Sequence, residues 1–139
     1  MKKIIVVLLS MQIASCNLSV EKETVINLDK SEEIANTFYT ILKSKDYSNM
    51  KEIADTSFFN TSGINKLKIR DSLFGDITKY EIMKAQSKSE LTEEWSEMEC
   101  VVYVNVKFEK KSKYYKEKLV IREFDGGLKI TSYYSKEAS

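Results

Sequence analysis

Apolar residues change spacing twice along this chain. From Ile4 to Leu9 they are continuous, from about residue 29 to 75 they recur every three or four positions, and from Lys79 onward they alternate with polar ones. The helical stripe is clearest at Ile34, Phe38, Ile41 and Leu42, widened by Ala35 and Tyr39, which is the spacing of an amphipathic helix. Asp29-Lys30-Ser31-Glu32 supplies a capping box ahead of it, with Asp29 as N-cap and Glu32 reaching back. Lys43 to Tyr47 breaks the stripe, and Ser48 can cap a second, short helix carrying Met50, Ile53 and Ala54. A third helix is expected after Ser62 on Ile64, Leu67, Leu73 and Phe74. Ile69 and Arg70 compete for its inner face, and Gly75 suits its C-terminal stop.

The alternating half predicts strands. Tyr80 and Ile82 alternate with Glu81 and Met83, and Ser87 to Glu90 reads as a polar connection. A long strand from about Glu97 to Lys110 follows, with Cys100, Val102, Val104, Val106 and Phe108 on one face. Glu99, Tyr103, Asn105 and Lys107 take the other, where Val101 is the apolar exception. Lys111-Ser112-Lys113 turns into a third strand over Tyr114 to Phe124, and Asp125-Gly126-Gly127 is a hairpin signal before Leu128 to Tyr134. About three helices ahead of a four-stranded antiparallel meander is an α+β fold, with the helices packed on one sheet face.

The continuous run at the start belongs to neither half. Lys2 and Lys3 precede it, and Ser10 and Gln12 keep it well short of the roughly 20 apolar residues of a spanning helix. A basic start, a short apolar core and small residues after it describe a secretory signal. Ile13-Ala14-Ser15-Cys16 resembles the lipobox of bacterial lipoproteins, which implies that Cys16 is acylated and becomes the first residue of the mature chain. The organisation expected is a signal peptide over 1–15, the lipidated cysteine and a tether over 16–28, and one domain over 29–139. The tether can end in a short strand at Val25-Ile26. Several acyl chains on one cysteine anchor stably where a single chain does not. Asn17 in place of Asp after the cysteine resembles outer-membrane sorting in Gram-negative bacteria. In other hosts the address is the outer face of the cell membrane.

Composition narrows the chemistry. Loss of Lys2 and Lys3 with the signal turns a net charge of +1 into about −1, and no basic segment has the form of a nucleic-acid patch. The densest one, Lys107 to Lys118, is interrupted by Glu109 and Glu117 and reads as a solvated strand edge that discourages aggregation. Once Cys16 is acylated, Cys100 has no disulfide partner, and its alternating apolar neighbours make it a core residue. Histidine is absent, so any acid-base catalysis would need carboxylates, tyrosine or lysine, and a Cys/His zinc site is excluded. No cofactor or metal motif occurs. Glu93, Glu94, Glu97 and Glu99 cluster around Trp95 and Met98, where they read as solvated carboxylates of a loop feeding a strand.

The segment with Phe38-Tyr39 and Leu42 on a first helix, Asp46-Tyr47 after it, late antiparallel strands and a closing Asp125-Gly126-Gly127-Leu128-Lys129-Ile130 resembles the nuclear transport factor 2-like superfamily. Many bacterial members close on Asp-Gly-x-Trp-Lys-Ile, and Leu128 stands here in place of the tryptophan. The resemblance implies a cone of curved sheet and helices around an interior that is either a ligand cavity or filled by side chains. Tyr39, Tyr80, Trp95, Tyr103 and Tyr133 are the candidates to line such a pocket, because tyrosine and tryptophan combine apolar area with a polar tip. Ordinary core packing and cross-strand pairing are the competing reading of the same residues. No catalytic set is assignable. The expected function is a non-catalytic envelope lipoprotein that binds a protein partner or a small apolar ligand. An enzyme of the ketosteroid-isomerase type, with a buried carboxylate beside a tyrosine, and an inhibitory or immunity lipoprotein are the alternatives.

Overall fold

The structure is a computed structural model and describes residues 26–58, 63–91 and 96–139. Among the described residues four helical segments come first: α1 (Leu28–Ser44), a 3-10 helix (Tyr47–Glu52), a short turn α2 (Thr56–Phe58) and α3 (Ile64–Phe74). Four strands follow, β1 (Ile77–Leu91), β2 (Ser96–Phe108), β3 (Tyr115–Phe124) and β4 (Gly127–Glu137). They form one antiparallel sheet in the order β1-β2-β3-β4. The fold is α+β, with the helices ahead of an open sheet.

The first helix starts earlier than the capping box predicts. The Asn27 side chain accepts from the Lys30 amide at 3.1 Å and serves as N-cap, while Asp29 lies in the first turn. There its charge still favours the positive end of the helix. Ser31 is buried and bonds the Asn27 carbonyl at 3.0 Å. Of the predicted stripe, Ala35, Phe38, Tyr39, Ile41 and Leu42 are buried, and Ile34 is half-buried against the core. The second helical segment is a 3-10 turn that starts at Tyr47, with the Asp46 carboxylate accepting from Ser48 and Asn49 at 2.7 and 2.6 Å.

On α3 the contest for the inner face goes to Arg70, 8% exposed, while Ile69 and Leu73 are 59% and 64% exposed. The apolar-looking choice loses because Leu67, Arg70 and Phe74 share one face at i, i+3 and i+7, and a buried acidic partner awaits the arginine. Gly75 ends the helix at φ 77°.

Ser87 to Glu90 is strand rather than connection. β1 continues through it to Leu91, pairing Ser87 with Cys100 and Glu90 with Glu97. A polar run reports lack of burial, whereas a ladder needs only backbone groups. The lysine-rich stretch is likewise no sheet edge, since Lys107 lies on β2 and Lys116 and Lys118 on β3, the two central strands. The exposed edge of β4 is partly covered: Ile130 donates to the Ile53 carbonyl at 2.8 Å and accepts from the Asp55 amide at 2.9 Å.

The core lies between α1 and one sheet face. Phe38, Tyr39 and Leu42 meet Cys100, Val102, Val104, Val106 and Phe108 of β2, Leu119 and Ile121 of β3, and Ile130 of β4. Cys100 is fully buried, as its neighbours predict, and burial pushes its thiol above the ordinary value. Ile26 is buried too, outside any strand, so the core begins at the first described residue. Val25, Cys16 and the signal segment lie outside the described residues.

Candidate functional site

Alternation along β3 turns Tyr115, Glu117, Leu119 and Ile121 toward the helices. Three of these are apolar or aromatic, and the fourth is a carboxylate at 1% exposure. Glu117 therefore has to find all its partners inside the protein. Tyr39 of α1 donates its hydroxyl to Glu117 Oε1 at 2.9 Å. Arg70 Nη1 of α3 donates to Oε2 at 2.8 Å. Tyr133 of β4 donates its hydroxyl to the same oxygen, and Ser135 is the residue opposite Glu117 on β4. An ionised carboxylate offers about four acceptor positions, and these three side chains engage both of its oxygens.

Aromatic rings enclose the pair. The Arg70 guanidinium carbon sits 4.8 Å from the Phe108 ring centroid and 5.2 Å from that of Tyr133. Tyr39 stacks on Tyr80 at 4.9 Å between centroids and meets Phe38 edge-on at 5.1 Å, and Phe38 lies 5.7 Å from Tyr133. The Tyr80 hydroxyl donates outward to Asn36 at 3.1 Å. Arginine suits this setting because its flat, weakly hydrated head stacks on rings and pairs with carboxylates.

The cluster's electrostatics follow from burial. Desolvation pushes Glu117 above the ordinary carboxylate value, while Arg70, Ser135 and Tyr39 pull it back. Burial, then the Glu117 charge, raises the Tyr39 hydroxyl well above its ordinary value of 10.0. It is a fixed donor rather than a base. Beside the pair, Asp71 is pushed up to about 6, first by desolvation. Its Oδ1 lies 4.0 Å from Arg70 Nη2, and Oδ2 has no hydrogen-bond partner, nor do Arg70 Nε and Nη2. Arg70 is thus satisfied on the Glu117 side and underused on the Asp71 side.

Of the five aromatic candidates, Tyr39, Tyr80 and Tyr133 come together around Glu117. Tyr103 does not, because it lies on the outer sheet face, with Lys84 Nζ and Lys118 Nζ at 4.8 and 5.9 Å from its ring centroid. Trp95 and Cys16 lie outside the described residues. The two charged members of the cluster, Glu117 and Arg70, carry most of its chemistry; the sequence reading weighs Arg70 only as a contender for the inner face of α3 and misses Glu117. The phase of β3 held the signal, since a residue midway between Tyr115 and Leu119 shares their face. The reading of Glu117 as a solvated interruption of a lysine run is overturned by that placement.

Chemically the arrangement can bind and orient, but its carboxylate has no free oxygen for a substrate proton. Tyr133 also borders a cleft of about 190 Å³ beside Phe58, Gly63 and Lys66. A groove of about 450 Å³ runs over Met83, Lys84, Tyr103, Asn105, Lys116 and Lys118 on the outer sheet face. Among the described residues no group of three or more His, Cys, Asp or Glu could hold a metal ion, and no helix is long and apolar enough to cross a membrane. No protein-family model matches this chain, nor does any curated protein or any solved structure.

Proposed function

We propose that this chain is an envelope lipoprotein, held to a membrane through acylated Cys16, whose folded domain is a non-catalytic binding module built on a nuclear transport factor 2-like plan. The observation that carries the non-catalytic part is that both Glu117 oxygens are engaged inside the core. Its two oxygens take donors from Tyr39, Arg70 and Tyr133, and the residue is 1% exposed. An acid-base catalyst needs a carboxylate that a substrate can reach. The anchoring part rests on the lipobox resemblance of Ile13-Ala14-Ser15-Cys16.

The 2.9 Å contact between Tyr39 and Glu117 gives some support to a second reading, a pocket enzyme of the ketosteroid-isomerase type. That reading needs the pair to open to a ligand, and burial of both residues argues against it. Growth with a fatty-acid analogue tests the preferred reading. Label on the wild-type chain and none on Cys16→Ser, with loss of the variant from the membrane fraction, is the expected result. Equal labelling or unchanged fractionation removes the anchor from the proposal.

A further inference from the structure

The strand register sorts charge by face. Lys79 pairs with Lys107, Lys84 with Tyr103, Tyr103 with Lys118, Asn105 with Lys116, Lys116 with Lys136, and Lys118 with Tyr134. Facing residues in a ladder project to the same side. These positions alternate with the buried Val102, Val104, Val106, Tyr115 and Glu117, and so lie on the face turned away from the helices. Six lysines, Lys79, Lys84, Lys107, Lys116, Lys118 and Lys136, therefore share the outer face. Glu81 shares it as well, and Glu99 is held by Arg122 at 3.1 Å. None of the six lysines makes an ion pair among the described residues. On the opposite side, residues 26–58 carry six carboxylates and four lysines, and residues 63–76 add two carboxylates and three cations. The helical side thus has a small acidic excess while the outer sheet surface carries this group of lysines.

We propose that this outer sheet face docks on an anionic lipid surface, with Tyr103 and Tyr134 at headgroup level among the lysines. The choice of a membrane, over other acidic partners, rests on the proposed Cys16 anchor. About ten residues separate Cys16 from Ile26, a reach of at most about 35 Å, so the anchor would hold the face next to a bilayer at high effective concentration. Lysines are compact point charges that suit a diffuse array of headgroups better than a bidentate ligand. Tyr134 is exposed and Tyr103 half-buried beneath Lys84 and Lys118, and tyrosine is at home at a membrane interface. A second copy is disfavoured on this face, because a two-fold contact would set lysines against lysines.

Vesicle co-sedimentation of the full chain carrying Cys16→Ser tests the docking without acylation. The readout is the difference between vesicles of phosphatidylcholine alone and vesicles containing 30% phosphatidylglycerol, about. Stronger sedimentation on the anionic vesicles is expected, weakening with added salt as charge is screened. Lys84→Ala with Lys118→Ala should weaken the anionic component roughly thirtyfold. Lys43→Ala with Lys51→Ala, on the helical side, should leave it within about twofold. Circular dichroism confirms that each variant is folded. Equal binding to both vesicle types, or indifference to Lys84 and Lys118, overturns the proposal. So does displacement by polyglutamate or a single-stranded oligonucleotide that itself binds the face more tightly than anionic vesicles do. Fatty-acid labelling reads failure of the anchor separately, since the vesicle difference needs no acyl chain.

Discussion

Glu117 and Arg70 hold each other in place across 47 positions of sequence. Removing one partner strands the other: without Glu117, the Arg70 cation would lie between Phe108 and Tyr133 with no counter-charge at hydrogen-bonding distance. Breaking a buried pair costs about 3–5 kcal/mol, whereas replacing both members with apolar residues of similar volume is often neutral. Urea denaturation should show Glu117→Leu and Arg70→Met each destabilised in that range, and the double variant less so than either. Additive losses would mean that the two side chains act independently. Asp71 next to them gives a pH signature. Its folded value of about 6 lies above the ordinary 3.8, raised by desolvation, Asp76 and Glu117 and lowered by Lys45. The native state therefore holds this proton more tightly than the unfolded chain. Stability from Asp71 is fully present below about pH 4 and is lost as pH rises through about 6. Asp76, held low by Lys45, and Asp55, held low by Ser57, act in the opposite sense. The test is consequently the difference between wild type and Asp71→Asn, which should grow in the variant's favour from pH 4 to 7. A pH-independent difference would show that Asp71 ionises freely.

At the scale of elements, hydrophobic periodicity was a faithful guide wherever burial and secondary structure coincide. The α1 stripe and the β2 alternation are of this kind, and so is the Asp125-Gly126 hairpin, with Gly127 opening β4 at φ 107°. It failed where they part. Ser87 to Glu90 pair through the backbone with no apolar side chain to announce it. Arg70 and Glu117 are buried without being apolar, and each is legible only from the phase of its neighbours, since their mutual contact is a tertiary fact. Three of the five pocket tyrosine and tryptophan candidates met around that contact because inward aromatics on α1, β1 and β4 share one core. Tyr103 went the other way because its strand neighbours Val102 and Val104 own the inner face. The junction between α3 and β1 carries a sharper constraint. Gly75 has φ 77° and ψ −170°, a conformation open essentially to glycine alone. A Cβ there would also stand 3.1 Å from Glu109 Cβ and from Lys110 Cγ. Gly75→Ala should lower stability by about 1–3 kcal/mol, read from the denaturation midpoint at unchanged slope. A loss below about 0.5 kcal/mol would mean that the junction relaxes without strain.

The whole molecule separates its tasks in space. Packing occupies the inner sheet face, six lysines share the outer one, and Cys16, the proposed attachment point, stands ten positions ahead of Ile26, where the described core begins. If the anchor supplies attachment and nothing else, its removal should leave the fold's energetics intact. Loops and tethers outside a core contribute little to the free energy of unfolding. Cys16→Ser should therefore unfold at the wild-type midpoint, within about 1 °C, in detergent-matched thermal scans, while losing its acyl label. A substantial fall in the midpoint would mean that residues near the anchor pack onto the domain. The tether reading would then give way to one in which Cys16 and its neighbours are part of the folded unit. An unchanged midpoint carries a consequence for the outer face as well. The domain would present its lysines in the same geometry with or without the lipid, so surface charge and acylation would contribute to membrane attachment as two separable terms. Varying salt on the acylated chain and on Cys16→Ser would then move their partitioning in parallel, with the lipid setting only the offset between them.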